Sequence, residues 1–415
     1  MAKLKQTAVT DRYKRASRNS VGNKYFQTIS NRYMYAKFTT LVLLVLFCAF
    51  MLISYSEDIS YSNLMYLLRD FDTDTQKVTS SFESIKYDEQ SNMSYALYKG
   101  ELVVAGNRTL KMYNFRGTET RSYEQGYSDP VLVTSDKYLL SYNVGTPSYS
   151  VYTSIARIHS GDAPGNIESA HMNDRGEHLL VCRSTDSKYA VYTYDSAFNP
   201  IAEYSKSRYV TTASIGDDGR VVIASFDSDG VAYDCRIELY YDGSVEPDST
   251  YSMTGIFPVK CGIWDNGGYF VICTDRILFF DKSGTLIKSS ESAFDYTSYS
   301  HSGNKLAVSH DNDSLGGSST CTLFNEKGEV LLTHNAEGSI SSLSVSDKNV
   351  YALTGSKGYM ISTDGKEVYE GVVDEGGAVL VSYGNSCVIC YKEGAKGLLF
   401  GDDVAEVTTN ITSSK

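Results

Sequence analysis

Two kinds of turn alternate along most of this chain, and their spacing restricts the fold more than any other feature. The first kind has an Asp/Asn-Gly character and leads into an apolar strand: NDRGEHLLVC (Asn173–Cys182), DDGRVVIASF (Asp217–Phe226), DNGGYFVIC (Asp265–Cys273) and HSGNKLAVSH (His301–His310). SDKYLLSY (Ser135–Tyr142) and SDKNVYALTG (Ser346–Gly355) fill the same slot without the glycine. The second kind follows a Tyr/Phe-rich strand and turns it back, as in LKMYNFRGTE (Leu110–Glu119), LFFDKSGTLI (Leu278–Ile287) and TLFNEKGEVL (Thr322–Leu331). Asp, Asn and Gly supply the positive-φ positions that tight hairpins require. The units begin near Ser94, Val131, Ile167, Thr211, Val259, Tyr296, Ile340 and Ala378, 36–48 residues apart. That is the period of four-stranded propeller blades.

The last unit holds three strands, AVLVSYGN, SCVICYKE and KGLLFGD, while VTSSFESIKYDEQ (Val78–Gln90) belongs to no unit. The early segment is expected to supply the missing fourth strand, because pairing the two ends closes the ring and protects its edges. The expectation is an all-β, eight-bladed β-propeller, with seven blades as the alternative, preceded by an N-terminal transmembrane helix. A pair of β-sandwiches fits less well, since nothing in a sandwich requires the same hairpin pair at a fixed period.

Phe38 to Tyr55, FTTLVLLVLFCAFMLISY, is an 18-residue run without charge. It has the length of a short membrane span and carries basic and aromatic flanks at Tyr33, Tyr35 and Lys37. Residues 1–37 hold nine Lys/Arg and one Asp, a charge of +8; the remainder holds 29 Lys/Arg and 49 Asp/Glu, a charge of −20. The positive-inside rule places the N-terminus in the cytoplasm and the acidic part outside. An uncleaved signal-anchor is favoured over a cleaved signal peptide, because the basic segment is long and no small-x-small site follows the run. The expected organisation is a basic cytoplasmic tail (1–37), a signal-anchor helix (38–55) in contact with membrane lipid, an acidic connector with helical spacing (56–77), an extracytoplasmic propeller (78–403) and a disordered C-terminal tail (404–415). The acidic outer part is unsuited to nucleic acid, whose phosphates need clustered Lys/Arg.

The blade pattern resembles the broad propeller superfamilies of the WD40, YVTN and quinoprotein-like kinds. It departs from WD40 in having a single Trp, Trp264, in the first turn of a unit. The basic tail, the anchor and the opening FESIKYD…YALYKGELVVAG…LKMYNFRG resemble an uncharacterised family of membrane-anchored propellers of Gram-positive bacteria. That resemblance spans nearly the whole chain and implies no activity.

Residue types that carry chemistry are scattered. Cys182, Cys273 and Cys390 end the same strand in three units, a repetition that reads as small buried core. Cys387 and Cys390 form a CxxC within a strand, where positions i and i+3 point to opposite faces. The six His have no HExxH or Cys₂His₂ arrangement, and DNDSLGG (Asp311–Gly317) lacks the core of a calcium loop. No catalytic residue, cofactor or metal is assigned. The stretch Ser141–Asn166, rich in Ser, Tyr, Gly and Pro, reads as an inserted loop of the kind that binds partners. Tyr149, Tyr152 and His159 within it, with His171 and Trp264, are the candidate binding residues. The sequence thus points to a non-enzymatic binding or scaffold module for a protein or cell-wall ligand. A hydrolase or lyase acting on glycans or peptides from a propeller face is the alternative.

Overall fold

The computed structural model describes residues 21–54 and 84–398 apart from 115, 229, 242, 384 and 385; within the helix, side chains are described for 28–47 and 50. The connector 56–77 and the tail 404–415 lie outside the described residues. The chain divides into two units, Met1–Phe71 and Asp72–Lys415.

Among its described residues the first unit contains one helix, α1 (Val21–Ser54), of 34 residues, or about 51 Å at 1.5 Å per residue. It begins inside the segment read as a tail, so the end of the tail and the start of the apolar run form one element. No proline interrupts it, and extending a helix from an existing turn is cheap compared with starting one. Apolar side chains face outward on every side: Phe38, Leu43, Leu44 and Val45 are all exposed. The hydroxyls of Thr39 and Thr40 donate to the carbonyls of Tyr35 and Ala36, both at 2.9 Å, so the polar groups within the apolar stretch are satisfied locally. Among the described residues no helix is long and apolar enough to cross a membrane. Part of the run Phe38–Tyr55 falls outside the described side chains.

The second unit is an eight-bladed β-propeller, with eight four-stranded antiparallel sheets among the described residues. Blade 1 shows the plan. Strand β2 (Ser94–Tyr98) is followed by β3 (Glu101–Ala105), β4 (Thr109–Tyr113) and β5 (Glu119–Glu124), paired in that order. The first strands of the other blades begin at Pro130, Ile167, Tyr209, Pro258, Tyr296, Ser342 and Val379, within two residues of the unit starts read from the turns. They surround the axis, since blade 1 packs on blade 2 and on blade 8 through these strands. Second strands are buried over most of their length, as in Tyr269–Cys273, whereas outer strands alternate half-buried and exposed, as in Ser249–Thr254. A sheet buried on both faces needs a continuous apolar run and a sheet at the rim needs alternation. The sequence supplies each where it is needed.

Ring closure follows the expected route. Strand β1 (Ile85–Lys86) pairs with Gly394–Gly397 of blade 8, Ile85 opposite Ala395 and Lys86 opposite Gly394. Ile85 is buried between the two ends. The Tyr87 hydroxyl lies 2.8 Å from the Tyr391 carbonyl and 2.6 Å from that of Gly394, so its one proton is shared between two acceptors on the C-terminal blade.

The antiparallel plan sorts the connections. Turns joining first to second strands, and third to outer strands, lie on one face, the turn face. Loops joining second to third strands, and connections between blades, lie on the other, the loop face. Third-to-outer turns of four blades share one chemistry. Asp281 Oδ1 accepts the N–H groups of Ser283 (2.8 Å) and Thr285 (2.9 Å), and Gly284 takes φ +84°. Gly117 and Gly328 hold the same slot after Asn114 and Asn325. In blade 3 the slot after Asp195 is filled by Phe198 at φ 67°, a conformation that costs a residue with a side chain roughly 1–2 kcal/mol.

Candidate binding faces

The five candidate residues do not form one surface. Tyr149 and Tyr152 lie on the third strand of blade 2 (Ser148–Tyr152) and are buried. His159 lies on that blade's outer strand, Arg157–Asp162, with Nε2 3.1 Å from the Tyr149 hydroxyl. Its ring stacks on Phe198 of blade 3 at 4.5 Å, and His178 stacks on Tyr194 at 5.0 Å. These rings pack blade 2 against blade 3. The stretch Ser141–Asn166 is therefore not an insertion, because it forms the third and outer strands of a regular blade. The period-two pattern of Ser-Tyr-Ser-Val-Tyr is a strand signal beneath a loop-like composition. His171 belongs to the first strand of blade 3 and reaches toward blade 4, where Nδ1 accepts the Ile215 N–H (3.3 Å) and Nε2 lies 3.4 Å from Ser214 Oγ. Trp264 is 2% exposed and packs on Phe270 at 4.6 Å.

The cysteines outside α1 that the structure describes are all buried and unpaired. Cys182, Cys273 and Cys390 each pair with the first residue of their blade's first strand, Ile167, Pro258 and Val379. They occupy one repeated core position. Cys387 and Cys390 contribute to separate apolar clusters on opposite faces of blade 8. Burial pushes both thiols up, away from a reactive thiolate. In DNDSLGG, Asp313 Oδ1 accepts the N–H groups of Leu315 (2.9 Å) and Gly317 (3.1 Å), so its charge is spent on shaping the turn. Among the described residues no group of three or more His, Cys, Asp or Glu is arranged to hold a metal ion.

The turn face is acidic. Its first-to-second turns place Asp136, Asp174, Asp217, Asp265 and Asp347 at equivalent positions in five blades. Neighbouring turns are linked: Asp174 Oδ1 accepts the Asp136 N–H at 2.9 Å, and Asp217 Oδ1 accepts the Asp174 N–H at 3.0 Å. Partial burial, then the charges of Asp174, Asp217 and Asp347, hold Asp136 above the usual carboxylate range; Lys99 opposes this. Asp265 is raised by burial and by Asp217, Asp174 and Asp347. Beneath this ring lie three neutral histidines. Burial pushes His171 down to about 3, with Lys260 and His301 adding to the effect. Burial and Lys260 push His301 down to about 4. His178 is fully buried, neither ring nitrogen meets a hydrogen-bond partner, and burial pushes it down to about 4 despite the nearby Gly176 backbone.

The loop face is apolar at its tips. Val231 and Leu315, in second-to-third loops of blades 4 and 6, are 92% and 94% exposed, and Val372, which ends the outer strand of blade 7, is 90% exposed. Between blades 4 and 5 four aromatic rings cluster: Phe226 lies 5.3 Å from Tyr209, 5.8 Å from Tyr233 and 4.7 Å from Phe257. Lys188 sits 4.2 Å over the Tyr209 ring. Sequence reasoning did not single out this face. Its signal was the placement of apolar residues beside Asp and Gly in second-to-third loops, which only the topology gathers on one side.

Solved structures share this architecture. BamB from Moraxella catarrhalis is similar at 12% identity, with 77% of this chain and 99% of that chain covered and a TM-score of 0.53. Saccharomyces cerevisiae Sqt1 is similar at 9% identity, with 77% and 97% covered and a TM-score of 0.56. At these identities the likeness concerns the fold. No curated protein matches the chain. Residues 72–396 match the model of a family of unknown function, and the chain therefore belongs to the DUF5711 family.

Proposed function

We propose that this protein is a membrane-anchored, extracytoplasmic binding module that docks a protein partner without chemical turnover. The observation that carries the reading is the set of three exposed apolar side chains, Val231 and Leu315 in loops and Val372 at the end of an outer strand, presented to solvent on one face. Side chains of this kind contribute nothing to blade packing when fully exposed, and apolar exposure gathered on one face is characteristic of interaction sites. The ring scaffold holds such tips in fixed relation, which lowers the ordering cost of association. The anchor reading is supported by the uncharged run Phe38–Tyr55, the all-round apolar surface of α1 and the +8 to −20 split in charge.

Protease added to intact cells tests the topology. It should remove the C-terminal propeller while sparing the N-terminal tail, and a fully protected propeller would reverse the orientation. Purified full-length protein incubated with envelope peptides or glycans should form complexes without consuming them. Turnover at enzyme-like rates would defeat the binding reading.

A further inference from the structure

We propose that the loop face across blades 4 to 6 docks a peptide segment in which a Lys or Arg adjoins a large apolar or aromatic side chain. This deepens the proposed function and rests on it. The first observation is that the aromatic rings of this face pack on their neighbours on one side and remain open to solvent on the other. Tyr209, Tyr233 and Phe294 are 44%, 48% and 45% exposed, and Val231 and Leu315 project from the loops beside them. Aromatic side chains offer large contact area at low entropic cost and concentrate binding energy at protein interfaces.

The second observation is the charge around those rings. Among the described residues three cations at this face are already matched: Lys188 to Asp227 at 3.3 Å, Arg208 to Asp234 at 3.0 Å and Arg276 to Asp275 at 2.8 Å. Asp186, Asp295, Asp311 and Asp313 have no cationic partner among the described residues. The aromatic surface is thus rimmed by excess negative charge, and its complement is positive and apolar together. The Tyr209 ring already receives a cation, Lys188, over its face. The exposed faces of Tyr233 and Phe294 offer the same attraction to a partner's Lys or Arg. The same charge opposes other occupants. An anionic lipid surface is repelled by an acidic rim. A second copy of this domain, itself strongly acidic, would set like charges against each other.

The test uses the full-length chain in mild detergent, immobilised and presented with a displayed library of random 12-residue peptides. Enriched sequences should carry Lys or Arg within two positions of Trp, Tyr, Phe or Leu. Affinity for the synthesised consensus peptide should fall about tenfold or more in Tyr233→Ala. It should fall about fivefold in the double variant Asp295→Lys/Asp313→Lys, the size of a screened surface charge interaction. Val245→Asp, in an exposed turn on the opposite face, should bind as the unaltered chain does.

Consensus binding that survives Tyr233→Ala, or that only Val245→Asp weakens, overturns this face and leaves the binding module standing. Enrichment of neutral or acidic sequences, or no enrichment, overturns the stated partner chemistry. So does equal binding to phosphatidylglycerol vesicles. Cleavage of the consensus peptide during incubation would instead defeat the binding module itself.

Discussion

On the turn face, five blades present an aspartate at the same position; on the loop face, individual blades present valine, leucine, tyrosine or phenylalanine with no shared position. The difference comes from how the two kinds of connection are made. A tight hairpin within a blade restricts its residues to those that tolerate its backbone, and Asp, Asn and Gly recur for that reason. Eightfold arrangement then gathers the recurrent aspartates around one axis. Part of the resulting repulsion is offset where one aspartate accepts the N–H of the preceding turn, as Asp174 and Asp217 do. Loops between strands two and three vary in length and obey no such restriction. A propeller therefore shows its repeat on one face and its individuality on the other, and partner selection belongs where the repeat is broken.

Acid should separate the two faces most strongly. His171, His178 and His301 all lie near the turn face, and burial lowers each of them. A histidine whose folded pKa is depressed binds protons more readily when unfolded. Its contribution to stability is complete above about pH 6.5 and is lost progressively as pH falls toward 4. For His178, fully buried, the loss at pH 5 is about 2 kcal/mol. The raised Asp136 and Asp265 act in the opposite sense: protonation relieves their repulsion, but only at lower pH, near the carboxylate range. His178→Phe should keep the stack on Tyr194 and flatten the fall in melting temperature between pH 6.5 and 5. An unchanged slope would mean that His178 is not the group acid attacks.

Much of this arrangement can be traced to the sequence, and the remainder fails for identifiable reasons. Turn spacing located all eight first strands, because hairpin chemistry is local and acts within a few residues. The closing strand was legible for a different reason: a blade short of one strand and an orphan strand at the other end imply each other. Burial of Cys182, Cys273 and Cys390 was legible from repetition alone. Composition misleads at Tyr149 and Tyr152, which lie in a buried strand and pack into separate clusters on its two faces. The cluster of Tyr209, Phe226, Tyr233 and Phe257 escaped notice because its members are up to 48 residues apart. No periodic pattern links them; only the pairing of strands does.

A smaller effect should appear where the turn face departs from its own repeat. Phe198 occupies a left-handed slot that glycine fills after Asn114, Asp281 and Asn325. It stays because its ring stacks on His159 and lies 6.3 Å from Tyr138. Removing the ring should destabilise in either of two ways, to different extents. Phe198→Ala loses the stack and keeps a Cβ in the left-handed region. Phe198→Gly loses the same stack and sheds that strain. The glycine variant should be the more stable of the two by about 1 kcal/mol in chemical unfolding. Equal stabilities would show that this turn relaxes without cost.

The smallest expected effect tests the ring of charge itself. Asp265 is repelled by its neighbours, and among the described residues no N–H bond compensates its carboxylate as one does for Asp217. Asp265→Asn removes the repulsion and little else. Because these aspartates are exposed and screened by solvent, the gain should be only a few tenths of a kcal/mol. It should be visible as a raised melting temperature at low ionic strength and should vanish at 1 M salt, where the Debye length is about 3 Å. Asp217→Asn removes a like charge as well, but it weakens the acceptor for the Asp174 N–H, and a charge-assisted bond is worth more than a screened repulsion. It should not stabilise at any salt concentration. If the two variants respond alike, the repulsion is too weak to distinguish the faces. The contrast between them would then rest on the apolar tips of the loop face alone.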